Sequence, residues 1–114
     1  HISQNRRRRA LDNAVRLKGK GSYVICNTNG EYRLLYGSFG PRHLSLTAAY
    51  GRVTVYGDND QVLYTSSDIH HNEKVTYFGV DVSGQNQIRV EVSLSKDNGY
   101  DDPVILFNGL ALYK

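Results

Sequence analysis

The chain has no tryptophan, no methionine, a single cysteine and only two prolines in 114 residues. One cysteine cannot form an intrachain disulfide, so the disulfide-framework class of small secreted domain is excluded, although an extracellular address stays open. Cys26 sits in the apolar run Tyr23-Val24-Ile25-Cys26, where a buried, inert thiol is the plain reading. No apolar run approaches the roughly 20 residues that a spanning helix needs. Neither an initiating Met nor a signal peptide is present, which suggests a segment or processed form of a longer polypeptide. What the chain does have is tyrosine, nine of them, within a hydrophobic fraction of 39%. That composition and length describe one β-leaning globular domain with a single modest core.

The charge is unevenly distributed. Residues 1–20 hold seven Lys and Arg against Asp12 alone, whereas residues 21–114 hold seven against ten Asp and Glu. The net charge of +3 thus hides a mildly acidic body with a basic start. Residues 1–15, with the run Arg6-Arg7-Arg8-Arg9, show no core periodicity and read as a basic N-terminal arm, with the domain proper from 16 to 114. The arm suits a flexible linker, an electrostatic tether to a phosphate-rich partner or membrane surface, or a processing site. The body shows no zinc spacing, helix-turn-helix pattern or interleaved basic and aromatic surface, so sequence-specific nucleic-acid recognition is not expected.

From residue 16 onward the period is two. Gln87-Ile88-Arg89-Val90-Glu91-Val92-Ser93-Leu94 alternates strictly, which places Ile88, Val90, Val92 and Leu94 on one face of a strand. RVTVYGDNDQVLYTS (52–66) reads as two strands around a tight turn at Gly57-Asp58-Asn59-Asp60, with Val53, Val55 and Leu63 directed to a core. Asn29-Gly30 predicts a hairpin between strands at 23–27 and 31–36. Ser38-Phe39-Gly40-Pro41 reads as a break, and 43–47, 75–82, 104–107 and 110–113 as further strands. Polar loops separate them at 66–74 and 95–103. About eight short antiparallel strands, with almost no helical period, predict two packed sheets in a β-sandwich or jelly roll.

Taken in order, Tyr32-Arg33-Leu34-Leu35-Tyr36-Gly37, VTVYGDNDQVLYTS, FGVDVSGQNQIRVEV and the closing Leu110-Ala111-Leu112-Tyr113 resemble the NPCBM group of bacterial domains, a class named for carbohydrate binding. The resemblance spans about residues 20–114. It implies an all-β jelly-roll sandwich and a non-catalytic, carbohydrate-binding module on a bacterial extracellular or cell-surface protein, joined to other domains of its parent polypeptide. Three features depart from the group's pattern: the turn Gly57-Asp58-Asn59-Asp60 in place of Gly-Asp-Gly, the arginine-rich start, and the lack of the tryptophan on which pyranose rings stack best. The alternative is a structural or protein-interaction sandwich without a sugar site.

The loops hold the candidate site residues. Tyr100, within Asp97-Asn98-Gly99-Tyr100-Asp101-Asp102, is an aromatic in a polar loop and the best candidate platform for a sugar ring. Asn98, Asp101, Arg42, His43, His70 and His71 supply planar polar groups that could face hydroxyls. Asp97, Asp101 and Asp102 concentrate hard oxygen donors and are candidates for a structural calcium ion, though their spacing fits no known calcium loop and turn formation is the simpler role. No other cofactor is implied. Ser66, Ser67, Asp68, His70 and His71 cluster in sequence, but a nucleophile and base must meet in space, and no enzymatic activity is expected.

Overall fold

A computed structural model describes residues 7–11, 14–18, 23–41, 50–69, 74–96 and 104–114. Nine strands are β1 (Arg8–Ala10), β2 (Ala14–Lys18), β3 (Tyr23–Asn27), β4 (Leu34–Pro41), β5 (Tyr50–Tyr56), β6 (Val62–Thr65), β7 (Thr76–Asp81), β8 (Gln87–Lys96) and β9 (Val104–Tyr113). A 3-10 turn, Asp58–Asp60, links β5 to β6. One sheet runs β1-β9-β4-β7 with β2 also paired to β9, and the other runs β3-β8-β5-β6. The antiparallel pairs β2–β9, β3–β8, β4–β7 and β5–β6 nest inside one another. Ladders β4–β9 and β5–β8 then close the roll. This is the strand order of a jelly roll.

β1 and β2 share one edge of β9, at Ala111–Tyr113 and Val104–Asn108 respectively. Nine segments therefore fill eight strand positions. Arg8–Ala10 falls within the stretch read from sequence as an arm, and the boundary expected after residue 15 falls inside β2. All three residues of β1 are exposed, so they carry no alternating signal. The unpaired edge of β9 supplies the reason for a strand there.

The core lies between the sheets. Ile88, Val90 and Val92 of β8 are fully buried, as the alternation requires, opposite Leu35, Phe39, Phe107 and Leu112 of the other sheet. Val53 and Val55 are buried as well, and Leu63 packs partly buried against them. Phe39, Phe78 and Phe107 form an aromatic cluster, with ring centroids 5.0 Å (Phe39–Phe78) and 5.9 Å (Phe39–Phe107) apart. Tyr64 joins it at 5.3 Å from Phe78. Such edge and tilted contacts add to the burial of large rings. Cys26 is buried in the same core.

Three sequence expectations change. Asn29 and Gly30 do take positive φ, 51° and 70°, but the turn carries the chain from one sheet to the other and makes no hairpin. Ser38-Phe39-Gly40-Pro41 does not break the ladder: β4 continues through it. Glycine is required there, because a Cβ on Gly37 would lie 2.9 Å from Leu110 Cα. The runs at 104–107 and 110–113 are one strand, β9, with a bulge. Between the pairs Tyr36↔Ala111 and Ser38↔Asn108 the β9 side has one extra residue, and Gly109 there has φ +65°, the conformation glycine provides in such bulges. The strand expected at 43–47 lies outside the described residues.

Candidate functional site

The two ends of the sandwich are built differently. At one end three short connections meet: Thr28–Arg33 between β3 and β4, Gly57–Gln61 between β5 and β6, and Val82–Asn86 between β7 and β8. Asn59 and Asp60 adopt φ of 56° and 58° and Gly84 of 76°, a backbone region that Asn, Asp and Gly tolerate best. Asp58 then ties the turns together. Its Oδ2 accepts from Asn86 N (2.9 Å) and from Asn86 Nδ2 (3.3 Å), and its Oδ1 from Gln87 N (3.1 Å). In return Asp58 N donates to Gln85 Oε1 at 2.7 Å. Asn86 O accepts from Thr28 N and Asn29 N, at 2.9 and 3.0 Å, and Gln85 O accepts from Gly30 N at 2.8 Å. Thr28, fully buried, also donates its hydroxyl to Gln85 O.

The GDND and VSGQN stretches are thus two halves of one clasp. Ser66, which closes VLYTS, is scaffold too. Its Oγ accepts from Val53 N at 2.9 Å and donates to Ser67 O at 2.8 Å, extending the β5–β6 ladder. Asp68 of the same cluster is ion-paired with Arg52 Nη2 at 2.6 Å. A serine whose hydroxyl serves the backbone and a carboxylate bound to an arginine are poorly placed for nucleophilic chemistry.

At the opposite end stand the strand termini Pro41, Tyr50, Ile69, Thr76, Lys96 and Val104. The short connections fix this: Asn27 and Leu34 share the clasped end, as do Asp81 and Gln87, so the far ends of the same strands lie together. The register agrees, with Pro41 opposite Ile105, Phe39 opposite Thr76 and Tyr50 opposite Lys96. The expected site residues Arg42, His43, His70, His71, Asn98, Tyr100 and Asp101, and the calcium candidates Asp97, Asp101 and Asp102, all lie outside the described residues. The described strand ends that flank their three segments converge on this one end. Among the described residues, no group of three His, Cys, Asp or Glu side chains could hold a metal ion.

The outer faces of the two sheets contrast. Across β3-β8-β5-β6 charges are paired. Arg89 stacks 4.3 Å from the centre of the Tyr56 ring and pairs with Asp60 at 2.9 Å and Glu91 at 3.2 Å, the Asp60 bond being the main reason its pKa is raised. The face of β9-β4-β7 exposes Leu34, Tyr36, Tyr77 and Leu106, with Tyr36 and Tyr77 at 42% and 72%, while the other sheet exposes Tyr23, Ile25 and Val62 beside its charges. Tyr36 lies across Gly79, whose added Cβ would meet its Cδ1 at 3.4 Å. Tyrosines expected in strands therefore divide. Tyr64 packs inside, where burial raises its pKa, while Tyr36 covers the sheet surface. A shallow groove of about 310 Å³ runs beside them between Ser38, Pro41, Val75, Leu106 and Asn108.

A second depression, of about 460 Å³, opens at the clasped end between Arg33, Leu34, Asp81, Ser83, Tyr113 and Lys114. Asp81 accepts from Ser83 N at 2.9 Å, and the bonds from Ser83 hold its carboxyl below the usual range. No motif in the sequence marks this depression. Its residues come from three distant segments, and only the terminal Tyr-Lys and the arginine run at the other end of the chain hint at it.

No family model matches the chain, and no curated protein matches it. Solved structures do. The CBM51-1 and CBM51-2 domains with the M60 catalytic domain of Clostridium perfringens ZmpB superpose with a TM-score of 0.74 at 17% identity, over 89% of this chain and 11% of that one. The CBM51-2 and INT domains of the same protein, in complex with GlcNAc, give 0.70 at 13% identity, over 94% and 27%. The CBM51 of Clostridium perfringens GH95, in complex with methyl-galactose, gives 0.63 at 16% identity, over 84% of this chain and 79% of that one. The chain thus spans about a quarter or less of the two ZmpB chains. It shares the jelly-roll sandwich of carbohydrate-binding modules. No helix among the described residues is long and apolar enough to cross a membrane.

Proposed function

We propose that this domain is a non-catalytic, NPCBM-like carbohydrate-binding module of a bacterial extracellular or surface protein, attached to other domains of its parent. The observation that carries the reading is the shared fold with CBM51 modules, two of them solved with GlcNAc and methyl-galactose. The sugar site is assigned to the end where Pro41, Tyr50, Thr76, Lys96 and Val104 converge. Tyr100 stacks on the ring, and Arg42, His43, His70, His71, Asn98 and Asp101 bond to hydroxyls. A platform of one aromatic ring with a few polar groups suits a weak, ring-end mode of recognition.

Titration with methyl-galactose and GlcNAc, followed by amide NMR, tests this. Shifts should concentrate in residues 42–49, 70–73 and 97–103, and Tyr100→Ala should weaken binding about tenfold or more, in line with loss of a stacked ring worth ~1–2 kcal/mol. No shift at millimolar sugar would defeat the proposal for these ligands. The exposed face bearing Tyr36 and Tyr77 favours the second reading, a structural domain that packs against a neighbour. That reading gains if both sugars fail.

A further inference from the structure

The arginine run and the chain's last residues meet at the clasped end. Lys114 N donates to Arg7 O at 2.8 Å, and Arg33 N to Tyr113 O at 2.8 Å. Arg8 Nε donates to the Tyr113 hydroxyl at 3.2 Å, with its guanidinium 5.9 Å from the ring centre. Lys114 Nζ lies 5.6 Å from the Tyr32 ring centre. Arg9 points elsewhere, and its Nη1 donates to Asn27 O at 2.9 Å, tying β1 to the end of the other sheet. Arg33, Lys114 and Tyr113 therefore line the 460 Å³ depression, and Arg8 reaches its margin through Tyr113.

These cations differ from those on the second sheet. Arg52 and Arg89 each pair with a carboxylate. No ion pair among the described residues engages Arg7, Arg8, Arg33 or Lys114. Three such cations, Arg8, Arg33 and Lys114, beside one carboxylate, Asp81, give this end a positive field on an otherwise mildly acidic body, and such a field attracts polyanions. Asp81 and Ser83 share the depression, and they narrow the chemistry. A carboxylate and a serine hydroxyl accept hydrogen bonds from hydroxyl groups, which a saccharide backbone presents in number. A ligand that satisfies both sets of groups carries acidic substituents and hydroxyls on one backbone.

We propose that the clasped end is a second binding surface, for an acidic polysaccharide. Its sulfate or carboxylate groups meet Arg8, Arg33 and Lys114, and its hydroxyls meet Asp81 and Ser83. It lies opposite the end assigned above to neutral sugar, and it rests on that reading only for the choice of a saccharide backbone.

The test uses the whole chain with four probes: dextran sulfate, polygalacturonate, neutral dextran and an oligo-dT strand. Calorimetry at about 50 mM salt should show dextran sulfate or polygalacturonate binding, neutral dextran should be inert, and log affinity should fall linearly with log salt. The double variant Arg33→Gln/Lys114→Gln removes charged groups that make no side-chain hydrogen bond among the described residues, so the fold should stay intact. It should lose about tenfold or more in affinity and reduce the salt slope by about two. Its methyl-galactose and GlcNAc titrations should match the parent, so failure here and failure of the loop site are read separately. Failure of both acidic polysaccharides to bind overturns the proposal, as does unchanged binding by the double variant. Oligo-dT binding as tightly as either acidic polysaccharide would overturn the saccharide assignment.

Discussion

Truncating Asp58 tests whether the stretches that carry the family resemblance act as a clasp. In Asp58→Ala the carboxylate bonds to Asn86 N, Asn86 Nδ2 and Gln87 N, at 2.9, 3.3 and 3.1 Å, are lost. Asn86 and Gln87 are both exposed, so water replaces the acceptor and no buried donor is stranded. Because these bonds are exposed to solvent, each of the two backbone bonds counts about 1 kcal/mol, below the ~1.5–3 kcal/mol usual for a charged acceptor, and the longer amide bond adds little. The expected loss is about 2 kcal/mol, which for a domain of this size lowers the melting midpoint by roughly 8–12 °C. Urea unfolding, with the midpoint shifted and the slope unchanged, is the assay. Asp58→Asn keeps one acceptor oxygen and should lose about half as much. Gln85→Ala removes the acceptor of Asp58 N, so the pair should be non-additive in a double-mutant cycle by about 0.5 kcal/mol or more. If Asp58→Ala stays within about 0.5 kcal/mol of the parent, the clasp is ornamental and the motif residues owe their order to something else.

Gly37→Ala should cost about 1–3 kcal/mol, because the new methyl meets the backbone of Leu110 at 2.9 Å and β4 and β9 must part. Gly79→Ala is its control: its methyl would meet only the Tyr36 and Leu34 side chains, at 3.4 and 3.5 Å, and its urea midpoint should stay close to the parent's. Asp81 supplies a pH test. Its folded pKa lies below the ordinary carboxylate value, so its contribution to stability is complete above that value and is lost as pH falls through the folded pKa. The difference in melting midpoint between parent and Asp81→Ala should therefore shrink between about pH 5 and pH 2. A constant difference across that range would mean that the Ser83 bonds do not favour the charged form.

How far these features could be read from sequence depends on the range of the physics behind each. Alternation at 87–93 is local, since a pleated strand with one dry face needs it, and Ile88, Val90 and Val92 are buried accordingly. Turn chemistry is local too: Asn29, Gly30, Asn59 and Gly84 all take the positive φ their types favour. Which sheet a strand joins after its turn is not local. Asn29-Gly30 dictates a reversal, but the bonds from Thr28, Asn29 and Gly30 to Gln85 and Asn86 decide that the chain crosses between sheets. Gly37 and Gly40 mimic a break because glycine is a poor strand former. For Gly37 the reason for being glycine is Leu110, on a strand some 70 residues away. The expected sugar-site residues belong to the long connections. They lie outside the described residues, so their assignment rests on chemistry and on the described strand ends that flank them.

The division of labour between the two ends follows from that difference. At the clasped end, turns of five or six residues are bonded to one another, so a substitution there is read out as stability. At the other end the described strands stop at Pro41, Thr76, Lys96 and Val104. Connecting segments in general can change composition without disturbing the core, provided the strand ends stay fixed. The β4–β9 and β5–β8 ladders fix them, and the Phe39–Phe78–Phe107 cluster lies directly beneath β4 and β9. The resemblance is therefore strongest in residues that build the scaffold: GDND, VSGQN and the terminal Leu110–Tyr113 hold the sandwich closed at one end. The low identities to the three CBM51 structures, 13–17%, agree with a scaffold kept by geometry.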